Sequence, residues 1–83
     1  MKLTVRYFAS IREALGASEV IDMAEGSSVG AVRDALIARG GAHASALARG
    51  KALRSALNQV LCDESAIVGD GGELAFFPPV TGG

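Results

Sequence analysis

The sequence predicts an α+β domain in which one main helix packs on one face of a mixed sheet of four or five strands. Two observations support this prediction. Apolar residues alternate with polar ones near the start of the chain, as in a strand, and they recur at i, i+3 and i+7 over 28–39, as in a helix. A chain of 83 residues has room for a single core, so we expect one domain.

The first half of the chain is predicted to alternate strands and helices. Lys2–Phe8 has the alternation of a strand, and Ser10–Glu13 fits a capping box that opens a helix of one or two turns. Ser18–Met23 is a short strand. The main helix, Ser28–Arg39, has a serine as its N-cap, and Gly40-Gly41 ends it.

The second half contains the least predictable segment. Ala42–Arg54 is rich in alanine and fits either a helical turn or irregular structure. Ala56–Cys62 is predicted to be one strand, although an Asn-Gln pair interrupts its apolar character. Asp70–Gly72 has the composition of a turn, and Glu73–Phe77 is the last strand. Pro78-Pro79 must end the pairing of that strand, because proline has no backbone N–H to donate.

Charge and cysteine content exclude several function classes. A formal charge of −1 offers no basic field for nucleic acid or an anionic membrane, and no apolar run has the length of a membrane span. The single Cys62 excludes an internal disulfide and a multi-cysteine zinc site, and it favours a reducing, cytoplasmic location. We interpret Cys62 as a small, at least half-buried hydrophobe rather than a sulfur relay, and the single His43 as a solvated loop residue.

Two of the four aromatic residues are predicted to lie on the sheet face that the main helix leaves uncovered. Phe8 shares its side of the first strand with polar residues, and Phe77 points away from the inward side of the last strand. Leu61 is expected beside them. Because grouped exposed aromatics usually mark a partner surface, we expect these three residues to bind a partner. The alternatives are that the strand ends bend or that segment 42–54 folds over them.

Residues 78–83 are predicted to form an extended tail that follows a folded domain of residues 1–77. Pro78-Pro79 favours a polyproline-like path, and the tail could reach about 20 Å. Gly82 and Gly83 have no Cβ, so the terminal carboxylate sits at the end of a very thin chain. Such a tail suits entry into a narrow channel; the alternative is a frayed terminus.

A resemblance to a known family covers both ends of the chain. The segment DGGELAFFPPVTGG at 70–83 resembles the small, sulfur-carrying subunits of molybdopterin synthase, and so do YFASIREALG at 7–16 and LNQ at 57–59. The resemblance implies a ubiquitin-like β-grasp fold. Gly72 departs from the family, in which an acidic residue is frequent at this place, and this departure concerns the turn rather than the chemistry.

The same resemblance implies that Gly83 carries the chemistry. An activating enzyme that uses ATP would adenylate its carboxylate, and sulfur from a sulfurtransferase or cysteine desulfurase would replace one oxygen. The resulting thiocarboxylate would donate its sulfur to cyclic pyranopterin monophosphate, and two such transfers form the dithiolene of molybdopterin. The chain itself is expected to bind no cofactor or metal and to have no turnover alone.

A large catalytic subunit is the implied partner, in a heterotetramer. Phe8, Leu61 and Phe77 would dock on it. The tail would enter its active site through Pro78, Pro79, Val80, Thr81 and Gly82. Two alternatives stay open: a carrier of the same fold for another pathway, such as thiamine thiazole or tungsten cofactor synthesis, and a ubiquitin-like protein modifier or binding module.

Overall fold

The structure, a computed structural model, describes residues 1–79 and confirms the predicted α+β architecture. Five strands form one mixed sheet, and three helices accompany it. The elements in chain order are β1 (Lys2–Tyr7), α1 (Ala9–Leu15), β2 (Ser18–Asp22), α2 (Val29–Ile37), α3 (Gly41–Ala46), β3 (Arg54–Leu57), β4 (Val60–Cys62) and β5 (Glu73–Phe77).

The first and last strands lie side by side in the middle of the sheet. The strand order is β2-β1-β5-β3-β4, in which β1 and β5 are parallel and the other neighbours antiparallel. The pairing of β1 with β5 continues into the start of α1, where the Phe8 N–H donates to the Phe76 carbonyl over 3.2 Å. The chain therefore leaves β5 next to the point where β1 turns into α1.

The core lies between the sheet and α2. Leu3, Val5 and Tyr7 of β1 are at most 1% exposed, as their alternation predicts. From the helix, Val32 and Leu36 meet them at helical spacing. Because α2 covers one face only, the other face of the sheet is open to solvent or to a partner.

Both predicted helices exist, but only one of the two predicted N-terminal caps does. Ser28 caps α2, since its Oγ accepts a hydrogen bond from the Ala31 N–H at 3.1 Å. The capping box at Ser10 is wrong: Phe8 is the N-cap of α1, no side chain caps that helix, and Ser10 lies inside it. The reason is that the Phe8 carbonyl accepts from the N–H groups of Ile11 and Arg12, so the chain turns from strand into helix without a spacer.

The prediction of a single strand over Ala56–Cys62 is wrong. The Asn-Gln pair turns the chain within this segment, so that β3 and β4 form a hairpin. Asn58 and Gln59 have φ values of 50° and 69°. Two consecutive positive φ values define the tight turn whose twist matches paired strands, and asparagine tolerates this conformation better than most residues. The Asn58 Oδ1 also accepts from the Glu73 N–H at 3.0 Å, which ties the turn to β5.

Segment 42–54 contains a short helix, α3, which the side chain of Arg33 on α2 holds in place. Arg33 is 3% exposed. Its guanidinium donates to the backbone carbonyls of Leu47, Ala48 and Lys51 over 2.6–3.1 Å, and it pairs with the Glu64 carboxylate at 2.9 Å. A buried arginine is stable only with such partners, so this contact fixes the loop after α3 against α2.

The departure at Gly72 suits the turn before β5. Gly72 is buried, and its N–H donates to the Gly69 carbonyl at 3.0 Å. A Cβ on Gly72 would lie only 2.9 Å from that carbonyl oxygen. The turn in this chain is therefore tight enough to require glycine.

Candidate docking surface and tail root

The open face of the sheet carries an apolar depression between Phe8 and Phe77. Its volume is about 400 Å³. The lining residues are Arg6, Phe8, Ala56, Gln59, Glu73, Ala75 and Phe77. Phe8 is 36% exposed and Phe77 is half-buried, whereas the neighbouring Phe76 points into the core. The prediction that Phe8 and Phe77 share the uncovered face is therefore confirmed; we call this surface the outer-face patch.

Strand register explains how residues distant in sequence form the outer-face patch. Arg6 pairs with Ala75, Ala75 with Ala56, and Ala56 with Leu61, so these four residues form one row across four strands. Paired residues point to the same side of a sheet, which places Leu61 on the open face. Leu61 is 69% exposed and extends the apolar surface beyond the depression.

Segment 42–54 does not cover the outer-face patch, since none of its residues lines the depression between Phe8 and Phe77. Its residues instead line a groove of about 600 Å³ together with α1 and Pro78. Among the residues that the structure describes, this excludes the alternative in which the loop folds over Phe8 and Phe77.

Pro78 and Pro79 form the root of the predicted tail. Both are half-buried, and Pro78 lines the groove beside α1 and α3. The chain thus leaves the sheet between the outer-face patch at Phe77 and this groove at Pro78. The remaining predicted tail residues, Val80, Thr81, Gly82 and Gly83, lie outside the described residues.

One charged pair lies within the outer-face patch. An Arg6 Nη1 atom lies 3.6 Å from Glu73 Oε1, and the Arg6 guanidinium carbon lies 5.2 Å from the centre of the Phe8 ring. The guanidinium therefore stacks on an aromatic face while it pairs with a carboxylate on the neighbouring strand. Alternation along the first strand predicts that Arg6 shares the side of Phe8, but it does not predict the contacts of Arg6 with Glu73 and the Phe8 ring.

Cys62 packs as a small hydrophobe. It is half-buried against the core, and its Sγ lies 3.8 Å from the Ser55 Oγ. This agrees with the predicted half-buried hydrophobe.

His43 is not a solvated loop residue, which corrects the prediction. It lies on α3 with a side chain 18% exposed, and its Nε2 is 2.7 Å from Glu19 Oε2. The same carboxylate accepts from the Tyr7 hydroxyl at 2.8 Å and from Arg39 at 2.5 Å. The sequence prediction missed this cluster because its members are far apart along the chain.

The pKa values in this cluster follow from its contacts. Burial alone would raise the pKa of Glu19, but the hydrogen bonds from His43, Arg39 and Tyr7 outweigh burial and lower it to about 2. Burial, followed by the hydrogen bond to Glu19, raises the pKa of Tyr7 well above its ordinary value. The cluster is thus a fully paired structural contact between β1, β2 and α3.

Two other features are absent from residues 1–79. They contain no group of three or more His, Cys, Asp or Glu side chains placed to hold a metal ion. Over the same residues, no helix is long and apolar enough to cross a membrane.

Comparisons with known proteins agree with this architecture. The ThiS family model matches residues 5–83. The molybdopterin synthase sulfur carrier subunit of Haemophilus influenzae is 42% identical over 81 residues, which cover 98% of this chain and 99% of that protein. The small archaeal modifier protein 1 of H. volcanii has a similar structure, with a TM-score of 0.77 and 26% identity over 95% of this chain and 98% of that one.

A solved complex gives a third comparison. It contains subunits 1 and 2 of the molybdopterin-converting factor of Helicobacter pylori, and the likeness has a TM-score of 0.69 and 26% identity over all of both chains. The matches confirm the predicted β-grasp fold and define the class of protein: the chain belongs to the ThiS family. Within it, the chain groups with the molybdopterin synthase sulfur carrier subunits, as the resemblance at its two ends predicts.

Proposed function

We propose that this chain carries sulfur for molybdenum cofactor biosynthesis, as a thiocarboxylate on Gly83. The observation that supports this most strongly is the match to a molybdopterin synthase sulfur carrier subunit over 98% of the chain. The outer-face patch adds a surface on which a partner would hold the carrier. We also propose that the chain works in the cytoplasm, where a half-buried free thiol such as Cys62 stays reduced.

The proposed chemistry uses the terminal carboxylate and no side chain of the carrier. An activating enzyme joins the Gly83 carboxylate to AMP and releases pyrophosphate from ATP. The terminal sulfur of a cysteine persulfide on a sulfurtransferase or cysteine desulfurase then attacks the acyl group and displaces AMP, which keeps one of the former carboxylate oxygens. A thiol reductant cleaves the resulting acyl disulfide and leaves the thiocarboxylate. The thiocarboxylate gives its sulfur to cyclic pyranopterin monophosphate, and two transfers build the dithiolene of molybdopterin. The chain is a substrate of the activating enzyme and of the enzyme that supplies sulfur, and it holds no cofactor.

The partner that receives the sulfur is proposed to be the large catalytic subunit of molybdopterin synthase, in a heterotetramer. A likeness to subunit 1 in the H. pylori complex supports a two-subunit assembly. Phe8, Leu61 and Phe77 would provide the docking surface. Because Pro78 follows the patch directly, a subunit docked there also meets the tail root, and residues 79–82 would lead Gly83 into its active site.

Removal of Gly83 tests the chemical part of the proposal. We expect this variant, and one extended by a single residue, to fold normally but to gain no sulfur when produced with the activating enzyme and sulfur donor. Intact-mass analysis measures the oxygen-to-sulfur exchange, and thermal unfolding checks the fold. A variant without Gly83 that still supports cofactor synthesis would contradict the proposal.

Phe77→Ala tests the docking part. Since Phe77 lies on the open face, its loss should weaken binding to the large subunit by at least about tenfold while changing the melting temperature little. Ile67→Ala is the matched control, because Ile67 is an exposed apolar residue outside the outer-face patch. Calorimetric titration measures the binding of both variants, and thermal unfolding measures their melting temperatures. If Phe77→Ala strongly lowered the melting temperature while the folded variant still bound the large subunit normally, Phe77 would be a core residue.

The likeness to a small archaeal modifier protein supports a second candidate function, conjugation to other proteins. A modifier joined to lysines would appear on denaturing gels as a ladder of larger products that requires Gly83. A dedicated sulfur carrier would stay at its own mass, changed only at its C-terminus. The same cell extract therefore distinguishes the two candidates.

A further inference from the structure

Arg6 lies at the β1 end of the outer-face patch and is held there by two contacts. It lies on β1 in the same cross-strand row as Ala75 of β5, beside the apolar depression that it helps to line. Its guanidinium stacks on Phe8 at 5.2 Å and faces Glu73 at 3.6 Å. Both contacts orient the side chain along the surface that the proposed function assigns to docking.

The donors of the Arg6 guanidinium are only partly filled within this chain. A guanidinium has five N–H donors, and the contact given for that of Arg6 within residues 1–79 is one ion pair, at 3.6 Å with Glu73. The side chains of Arg6 and Glu73 are 45% and 34% exposed, so the remaining donors are open to water. A partner that covered the patch would remove that water, and a buried charge without acceptors is costly.

We propose that the large subunit places a carboxylate against Arg6 when it covers the outer-face patch, so that Arg6 determines which partner surface fits. This inference rests on the proposed function and adds the chemistry of the partner surface. The partner would present apolar side chains to the depression between Phe8 and Phe77, with one Asp or Glu opposite Arg6. Arginine suits this role because it stacks on an aromatic ring while a carboxylate binds its edge.

The rival explanation is that Glu73 alone neutralises Arg6 in the complex. The two explanations differ in what happens when Arg6 is replaced by an apolar side chain of similar length. If Glu73 is the only carboxylate, Arg6→Met leaves Glu73 unpaired within this chain, and Glu73→Gln should weaken binding as much. If the partner supplies a carboxylate, Arg6→Met leaves that group buried and unpaired as well, and its effect exceeds that of Glu73→Gln.

The test compares binding of the folded variants to the large subunit by calorimetric titration. We expect Arg6→Met to weaken binding at least about tenfold, Arg6→Glu more than Arg6→Met, and Glu73→Gln less than Arg6→Met. Arg12→Met, which removes an exposed cation on α1, is the matched control and should bind normally. The affinity of the unmodified chain should fall with added salt, and Arg6→Met should flatten that dependence.

Two results would overturn the inference. Arg6→Met could bind as tightly as the unmodified chain or more tightly, which means that the partner offers apolar surface there. Alternatively, Glu73→Gln could weaken binding as much as Arg6→Met does, which would mean that Glu73 alone neutralises Arg6 in the complex. Phe77→Ala in the same titration separates these outcomes from a failure of the proposed function, because in either of them Phe77→Ala would still weaken binding.

Discussion

Glu19 accepts hydrogen bonds from three side chains that belong to separate parts of the fold. Tyr7 lies on β1, Arg39 follows α2, and His43 lies on α3. Because these groups stabilise the ionised carboxylate, they lower the pKa of Glu19 to about 2 in the folded protein. In the unfolded chain these contacts are lost, so the pKa returns to the ordinary range of a glutamate.

This difference in pKa predicts how stability changes in acid. The folded state binds fewer protons at Glu19 than the unfolded state does, so the contribution of Glu19 is full above about pH 5 and is lost as pH falls toward 2. Glu19→Gln should therefore lower the free energy of unfolding at pH 7 by up to about 3 kcal/mol. The difference between the two proteins should shrink steadily toward pH 2. Urea unfolding at several pH values measures it.

Glu13→Gln is the control for this experiment, because Glu13 is an exposed position on α1. Its stability should follow that of the unmodified chain at every pH. A constant difference between Glu19→Gln and the unmodified chain from pH 7 to pH 2 would show that Glu19 acts through packing rather than charge.

The sequence predicts the positions of some side chains in the fold but not of others. The outward position of Phe8 and Phe77 follows from the two-residue period of a strand, which is local information. The position of His43 depends on Glu19, which is 24 residues away, and no local pattern connects them. Arg33 is similar: a charged residue in a helix is expected to be exposed, but distant carbonyls satisfy its donors and bury it.

At the scale of elements, predictions failed where tertiary contacts decide the local structure. Helix α3 spans only Gly41–Ala46 and has no side-chain cap, so little in its own sequence distinguishes it from a turn. The β3–β4 hairpin was missed because its turn residues are Asn and Gln rather than the more recognisable Asn-Gly. By contrast, α2 has both a capping serine and apolar residues at helical spacing, and its existence was predicted.

The hairpin turn gives a prediction at this scale. Gln59 has a φ of 69°, which costs a residue with a side chain about 1–2 kcal/mol. Gln59→Gly should therefore stabilise the domain by about 0.5–1 kcal/mol, after the greater entropy of glycine in the unfolded chain is subtracted. Urea unfolding measures the change.

Asn58→Gly is the matched variant in the same turn. Glycine also tolerates a positive φ, but it loses the hydrogen bond from the Glu73 N–H to the Asn58 Oδ1, which measures 3.0 Å. We expect a destabilisation of about 1 kcal/mol. If both glycine variants changed stability in the same direction, the explanation based on φ and this bond would be wrong.

For the molecule as a whole, we predict that the folded body and the end proposed to deliver sulfur are separate along the chain. The buried core cluster runs from Leu3 to Phe76. Phe77, at the end of β5, is the last of the proposed docking residues on the sheet. The central position of β5 brings the end of the body to the middle of the sheet, next to β1. The sequence predicts this division because the two prolines at 78 and 79 end strand pairing, and β5 does end at Phe77.

This division predicts how a chain that ends at Pro79 behaves. Since the core and the outer-face patch are retained, this shortened chain should keep the melting temperature of the full chain and still bind the large subunit, more weakly because the tail is missing. Added in excess, it should inhibit sulfur transfer from the loaded full-length chain, which an assay of molybdopterin formation measures. The same shortened chain with Phe77→Ala should not inhibit. A folded shortened chain that neither binds nor inhibits would show that the tail carries all of the affinity, and the outer-face patch would then need another partner.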